Sequence, residues 1–285
     1  MDFLKRHWRG VLFGGLILSN IFVWKAVHER QPSDTLTVYF LDVGQGDAIL
    51  IDSPLHNRVL IDGGKNRKVL SELGRALPFG DRRIDVVVAT HPDMDHIGGL
   101  PEVVSRYKVG MFLESGAESD NTVNDELENR IGQKNIPRVL ARRGMVINFG
   151  DGTKLTILFP NQDVSKLDPN DASIVAKLTY GEESFLLTGD AELRTENILL
   201  NLNPVVLDSD VLKVGHHGSR SSTFILFAEA VSPEYAVISA GRGNTYGHPH
   251  KAVLDILKKV NAKILSTAES GTIKFETNGK SLKLK

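Results

Sequence analysis

Short apolar runs bounded by turn-forming residues dominate the first hundred positions after residue 35. Leu36 to Leu41, Ala48 to Asp52 and Arg58 to Ile61 have strand length. They are separated by Gly44-Gln45-Gly46-Asp47 and Ser53-Pro54-Leu55-His56-Asn57. This spacing predicts three strands joined by tight turns. Lys65 to Leu77 has a different period, with Val69, Leu70, Leu73 and Leu77 on one side, and predicts a helix. Ile84 to Ala89 is nearly continuous in β-branched residues and predicts a strand buried on both faces.

The second half repeats the alternation. Leu100 to Tyr107 and Asn124 to Asn135 read as helices, the latter ended before Pro137. Met145 to Ile147, Lys154 to Phe159, Ser173 to Tyr180 and Ser184 to Thr188 read as strands, the last two joined at Gly181-Glu182-Glu183. Then come a helix from Ala191 to Leu200, a strand from Val211 to Val214 and a helix from Ser222 to Val231. A strand from Tyr235 to Ser239 and a helix from His250 to Val260 follow. Strands near Lys263 to Ser266 and Gly271 to Phe275 close the chain. No internal repeat or low-complexity tract interrupts this order. Hairpins first and strand–helix alternation afterwards predict an α/β fold: two mixed sheets packed together with helices outside, spanning 36–285. Functional residues are then expected in loops at one edge, where strands end.

Residues 1–30 follow another pattern. Lys5, Arg6 and Arg9 precede an apolar run from Gly10 to Trp24, broken only by Ser19 and Asn20, and Lys25 and Arg30 follow. Trp8 and Trp24 bracket the run, as interfacial aromatics do. The expectation is one hydrophobic helix acting as a single-pass anchor in the cell membrane. The slight excess of cations before it places the following domain on the extracytoplasmic side. A cleaved signal segment with secretion is the alternative, although Ala26-Val27-His28 is a poor cleavage site. Gln31-Pro32-Ser33-Asp34 reads as a linker.

Composition narrows the chemistry. The net charge of -1 over 285 residues gives no global field for nucleic acid or acidic lipid. Cysteine is absent, so a metal would have to be held by His, Asp or Glu. His91, Asp93, Asp95 and His96 follow directly on the strand ending at Ala89, and a tight loop there can point all four into one cleft. Other strands end similarly: Leu186 to Asp190 in an acid, Lys213 to Ser219 in His216-His217, and Ala236 to Ser239 ahead of Tyr246-Gly247-His248. Asp62 follows the third strand, as a turn aspartate or as a group that orients metal ligands. Ser219 and Arg220 precede a predicted helix, as a phosphate cradle or as ordinary capping with a solvated guanidinium.

The strand-ending His-x-Asp-x-Asp-His, the Thr-Gly-Asp at 188–190 and the later histidines resemble the metallo-β-lactamase superfamily. Phe40 to Ala48, Ile61 to Gly64, Thr90 to Gly99, Phe185 to Asp190, Leu212 to Ser219 and Tyr246 to His250 together resemble the hydrolase domain of the ComEC family of DNA-uptake competence proteins. The resemblance runs over roughly 36–275. It implies a four-layer αββα sandwich and two divalent metal ions, zinc or manganese. His91 and Asp93 would hold one ion, Asp95 and His96 the other, with Asp190 bridging. His216 and His248 would complete the shells, although the sequence leaves open which of His216, His217 and His248 bind metal. Asp95 or Asp190 would accept the proton of a hydroxide shared by the metals, and a free histidine, His217, would protonate the leaving group. The superfamily usually has His where Asp93 stands and another in the loop before Ser173. Here that loop reads Asp168-Pro169-Asn170-Asp171, and Asn170 is the positional substitute. Oxygen ligands in place of imidazole make the site harder and favour manganese or magnesium beside zinc.

The implied activity is hydrolysis of a phosphodiester such as DNA. The ComEC membrane channel has no counterpart in these residues, so a direct part in DNA transport is not expected. Alternatives are another hydrolase of the fold, acting on a lactone, β-lactam or phosphocholine ester, or a non-catalytic membrane-anchored metal-binding protein. No protein partner is predicted.

Overall fold

A computed structural model of the chain describes residues 2–28, 31 and 33–285. Fifteen strands form two sheets among the described residues. In chain order they are β1 (Leu36–Phe40), β2 (Ile49–Asp52), β3 (Arg58–Ile61), β4 (Arg83–Ala89), β5 (Lys108–Glu114), β6 (Arg138–Leu140), β7 (Val146–Asn148) and β8 (Lys154–Phe159). These are followed by β9 (Val175–Tyr180), β10 (Glu183–Leu187), β11 (Val211–Lys213), β12 (Tyr235–Ile238), β13 (Lys263–Ser266), β14 (Ile273–Thr277) and β15 (Leu282–Leu284). The helices are α1 (Asp2–His28), α2 (Lys68–Ala76), α3 (Met94–Ile97), α4 (Leu100–Arg106), α5 (Thr122–Gln133), α6 (Leu193–Leu202), α7 (Ile225–Val231), α8 (Lys251–Lys259) and α9 (Thr267–Ser270).

The first sheet has the order β15-β14-β1-β2-β3-β4-β5-β6 and the second β13-β12-β11-β10-β9-β8-β7. Each is antiparallel at one side and parallel at the other. Strands β3 to β6 run parallel, as do β10 to β13. Three apolar clusters define the layers. Val38, Ile51, Val59 and Val88 of the first sheet pack on Leu155, Ile157, Phe185 and Val211 of the second. Leu50, Leu60 and Val87 face outward onto Val69 and Leu73 of α2, Val103 of α4 and Leu127 of α5. Leu186, Leu212 and Ala236 face outward onto Leu199, Phe227, Val253 and Leu257 of α6, α7 and α8. This is the αββα sandwich expected from the sequence. Alternation along each strand supplies both faces with apolar side chains, as a sheet covered on both sides requires.

Three strands had no sequence signal. In β5 only Phe112 and Leu113 are fully buried, and Gly110 interrupts the pattern. A Cβ on Gly110 would lie 2.7 Å from the Asp85 carbonyl oxygen, so close approach to β4 excludes a side chain there. Strands β6 and β15 have three residues each, too few to show a period. Helix α7 begins at Ile225 rather than Ser222 because Thr223 adopts a positive φ of 56°.

The apolar N-terminal run does form a helix, and Trp8, Phe13, Leu16, Leu18 and Trp24 on it are exposed. Among the described residues, however, no helix is long and apolar enough to cross a membrane. The expected single-pass anchor therefore finds no support there. As a helix, the run from Gly10 to Trp24 spans about 22 Å, against ~30 Å of hydrocarbon.

Candidate metal centre

Four loops at the carboxyl ends of parallel strands meet at one edge of the sandwich. After β4, Thr90 bonds across to the second sheet, its carbonyl accepting from Ile174 N at 3.0 Å. His91 and Pro92 follow. The short helix α3 then winds so that Asp95 and His96 return to the same cleft. Asp62 follows β3, Asp190 follows β10, and β11 runs into the tight turn Gly215–Gly218 carrying His216 and His217. Asp62, His216 and His217 all have left-handed backbone, with φ of 60°, 44° and 55°. Three non-glycine residues in this region at one site mark strain held in place by the surrounding fold.

The geometry brings most of the anticipated residues together. His96 Nε2 lies 3.2 Å from Asp190 Oδ2, and His217 Nε2 lies 3.3 Å from both Asp190 Oδ2 and Asp95 Oδ2. His216 Nε2 is 3.9 Å from Asp190 Oδ2, and His91 Nε2 is 3.7 Å from Asp93 Oδ2. Ligand atoms of His91, His96 and Asp190 lie within 4.8 Å of one another, as do those of Asp95, His96 and His217. Asp93 sits on the rim with its side chain 42% exposed. His248 is partly buried, its ring 5.5 Å from that of His216. Asn170 is partly buried, and its Oδ1 has no hydrogen-bond partner among the described residues.

A supporting layer fixes ring orientation. His96 Nδ1 donates to Asp62 Oδ2 at 2.7 Å, and the other Asp62 oxygen accepts from Thr90 N at 2.8 Å. Thr90 Oγ1 also donates to Asp62, and His91 Nδ1 lies 3.1 Å from Thr90 Oγ1 and 3.2 Å from Ser173 Oγ. Both rings thus direct Nε2 into the cleft. A metal-binding histidine needs this arrangement, with one nitrogen held by a hydrogen bond and the other free. Asp62 accordingly holds the His96 ring and the Thr90 backbone, beyond its place in a turn.

The donor set fits a cation. His91 Nε2, His96 Nε2, both His217 nitrogens, Asp190 Oδ1 and His248 Nδ1 are buried without a hydrogen-bond partner among the described residues. Buried polar atoms without partners are rare and costly. Here His96 Nε2 and His217 Nε2 converge on Asp190 Oδ2. Burial opposes charging of His96, but Asp190 and Asp62 outweigh it and hold the imidazole well above its ordinary value. His217 behaves in the same way, with Asp190 as its main counter-charge. Burial would raise Asp190, yet His217, His96 and Lys213 hold it well below the carboxylate range. His248 is pushed down to about 4 by burial and then by His216 and His217.

Sequence reasoning missed two residues of this cluster. Asp47, in the Gly44-Gln45-Gly46-Asp47 turn, is buried, with Oδ1 3.5 Å from His217 Nδ1. Lys213, at the end of β11, is buried and paired with Asp47. A lysine within the apolar run Val211-Leu212-Lys213-Val214 was the available signal. Glu192 was also missed. It accepts from His216 Nδ1 at 2.7 Å and from Ser221 Oγ at 2.7 Å.

Two amides just before α7, those of Thr223 and Phe224, are taken within the chain. Buried Glu196 of α6 accepts from Thr223 N at 2.5 Å and Phe224 N at 3.2 Å. Ser219 Oγ pairs with Ser221 Oγ at 2.8 Å, which leaves exposed Arg220 as the cation of that loop. Burial raises Glu196 to about 8, against the lowering effect of the two amides. The folded chain therefore keeps a proton that the unfolded chain releases, and this contribution to stability is lost as pH rises from about 4.5 toward 8. Each pH unit within that window is worth up to about 1.4 kcal/mol. Urea unfolding from pH 5 to 8 should show a steeper decline for the wild type than for Glu196→Gln. Parallel profiles would reject the assignment.

Beside His91 and Pro92, at the ends of β4 and β5, lies a cavity of about 420 Å³. Its polar wall carries Glu114, Glu118, Asp120 and Glu128, with Arg138 bound to both Glu114 and Glu128.

Residues 37–242 match the family model of the metallo-beta-lactamase superfamily. The chain is 31% identical over 255 residues to ComE operon protein 3 of Bacillus subtilis (strain 168), covering 84% of this chain and 32% of that protein. It is 31% identical over 248 residues to competence protein ComA of Neisseria gonorrhoeae, covering 87% and 33%. It is 32% identical over 251 residues to recombination protein 2 of Haemophilus influenzae, covering 86% and 29%. The chain thus spans about a third of the length of these relatives. Among solved structures, Igni18, a metallo hydrolase of Ignicoccus hospitalis, superposes with a TM-score of 0.55 at 18% identity, covering 85% of this chain and 99% of that one. YhfI of Bacillus subtilis superposes at 0.53 and 14% identity, covering 86% and 100%. At these identities the likeness concerns the fold.

Proposed function

We propose, for a chain that belongs to the metallo-beta-lactamase superfamily, that it hydrolyses phosphodiesters with two divalent ions held in this cleft. The observation that carries the reading is the pair of overlapping ligand groups, His91-His96-Asp190 and Asp95-His96-His217, in which His96 Nε2 can serve one ion and the Asp190 carboxylate can serve both. Asp190 Oδ2 lies between the imidazoles of His96 and His217, the place for a bridging carboxylate. The bound ions would supply an activated water and neutralise charge developing on the substrate. Carboxylate oxygens at Asp93, Asp95 and Asp190 suit manganese as well as zinc. The relatives named for competence and recombination support DNA as a substrate.

Asp95, with its side chain 27% exposed, can accept the proton of the attacking water. For the proton donor we favour His216 over the expected His217. His217 is buried between Asp47, Asp95 and Asp190. His216 is partly exposed, held through Nδ1 by Glu192, with Nε2 turned toward Asp190. A histidine oriented by a carboxylate at the cleft mouth can protonate a leaving alkoxide.

A second reading draws on the acidic cavity beside His91, which would suit a cationic alcohol such as the choline of a phosphocholine ester. One substrate panel tests both. Protein loaded with manganese or zinc should turn over bis-p-nitrophenyl phosphate and single-stranded DNA. Preference for p-nitrophenyl phosphorylcholine would favour the second reading. Turnover of nitrocefin or an acyl-homoserine lactone without any diester would reject both. In the same panel His216→Gln should slow DNA cleavage by about 10²–10⁴-fold and spare bis-p-nitrophenyl phosphate, whose leaving group needs no proton. An equal loss on both substrates would assign His216 to metal holding instead.

A further inference from the structure

Lys213 is fully buried on β11, between Leu212 and Val214, which pack in the outer core of the second sheet. Burying an ammonium there is costly, and an apolar side chain would pack at least as well. Its charge is spent on the cleft. Nζ donates to the Gly189 carbonyl at 2.8 Å, pairs with Asp47 Oδ2 and lies 3.5 Å from Asp190 Oδ1. The two Asp190 oxygens are thereby divided. Oδ1 faces the lysine, while Oδ2 faces His96, His217 and His216 at 3.2, 3.3 and 3.9 Å. Asp47 is divided in the same way, with Oδ2 on Lys213 and Oδ1 3.5 Å from His217 Nδ1. The path His217–Asp47–Lys213–Asp190 closes on itself through His217 Nε2 and Asp190 Oδ2.

We propose that Lys213 and Asp47 are positioning residues of the metal centre, restricting Asp190 to one ligand oxygen and turning His217 so that its Nε2 faces the metals. The proposal rests on the reading of the cleft as a metal centre. An ammonium suits this task because it engages the far oxygen of Asp190 without occupying a ligand position. A salt bridge that only fastened β11 to the 44–47 loop would not need Asp190 or His217 within reach.

Lys213→Met, Asp47→Asn and the double variant separate the two roles. Calorimetric titration with Mn²⁺ and Zn²⁺ gives affinity, and melting of metal-free protein gives stability. Each single variant should bind metal about 10–100-fold more weakly, the usual cost of losing a group that orients a ligand. Each should also melt lower, because one buried charge loses its partner. The double variant removes both charges. It should recover stability while its metal affinity stays low. Wild-type affinity in the double variant would overturn the proposal and leave the pair a structural salt bridge. If the single variants do not fold, the double variant alone decides. Wild-type protein that binds neither metal would instead reject the metal-centre reading itself.

Discussion

Asp190→Ala protein is expected to keep its fold and lose both its metals and its turnover. The Asp190 carboxylate is buried, and its Oδ2 lies within 3.3 Å of both His96 Nε2 and His217 Nε2. Removing it takes an anion from three cationic or cation-prone groups at once, namely His96, His217 and Lys213. No neighbouring carboxylate can replace it. Asp95 approaches from the rim, and Asp47 is committed to Lys213. Loss of a group that only orients a metal ligand costs about 10–100-fold in affinity, and loss of a shared ligand should exceed that. Asp95→Ala should differ in kind, because Asp95 Oδ2 pairs with His217 Nε2, whereas Asp190 Oδ2 pairs with both His96 Nε2 and His217 Nε2. Elemental analysis should therefore find Asp190→Ala nearly empty and Asp95→Ala with one ion fewer than the wild type. Turnover of bis-p-nitrophenyl phosphate should fall in both. Full metal content and activity in both variants would end the two-metal assignment.

The second large effect is expected from a residue with no functional group. Gly46 has φ of 112°, and a Cβ built on it would lie 1.8 Å from the Asp95 carbonyl oxygen. The atom that Cβ would meet is backbone, so no side chain can move aside. It seats the 44–47 loop on α3, with Asp47 N donating to Asp95 O at 3.3 Å. Gly46→Ala must therefore push Asp47 and Asp95 apart as well as strain the chain, at a cost on the order of 2–5 kcal/mol. Gly44 is the control, since it also has positive φ, at 83°, but meets nothing within 4 Å. Gly44→Ala should cost only the conformational strain of about 1–2 kcal/mol. Urea midpoints and manganese affinity measured on both variants check this. A Gly46→Ala protein as stable and as tight as Gly44→Ala would show that the close approach does not matter.

Much of the architecture could be read from local pattern. Strands β3, β8 and β13 fall at the expected residues, and most other elements lie within a few positions, because alternating burial leaves a period of two. Strand β5 escaped notice because Gly110 breaks its pattern and two of its seven residues are fully buried. In the site, His91, Asp95, His96, Asp190 and the 216–217 pair stood out as ligand-type side chains directly after strands. Asp47 and Lys213 did not, because one sat in an ordinary turn and the other within a strand.

By itself, then, the sequence determined the two-sheet sandwich, the edge where the chemistry collects and the types of ligand available there. Those properties follow from local period and from which residues lie at strand ends. Only the tertiary structure decided which atoms face one another. Asp47, His96, Asp190 and Lys213 come from the loop between β1 and β2, from α3, from the end of β10 and from β11. Their pairing with one another and with His217 depends on distances of 3 to 4 Å across both sheets. Local pattern carries no information about such distances, because they are set by how the two sheets pack. The same packing separated His216, held by Glu192 at the mouth, from His217, buried among three carboxylates, although the two are adjacent in the chain.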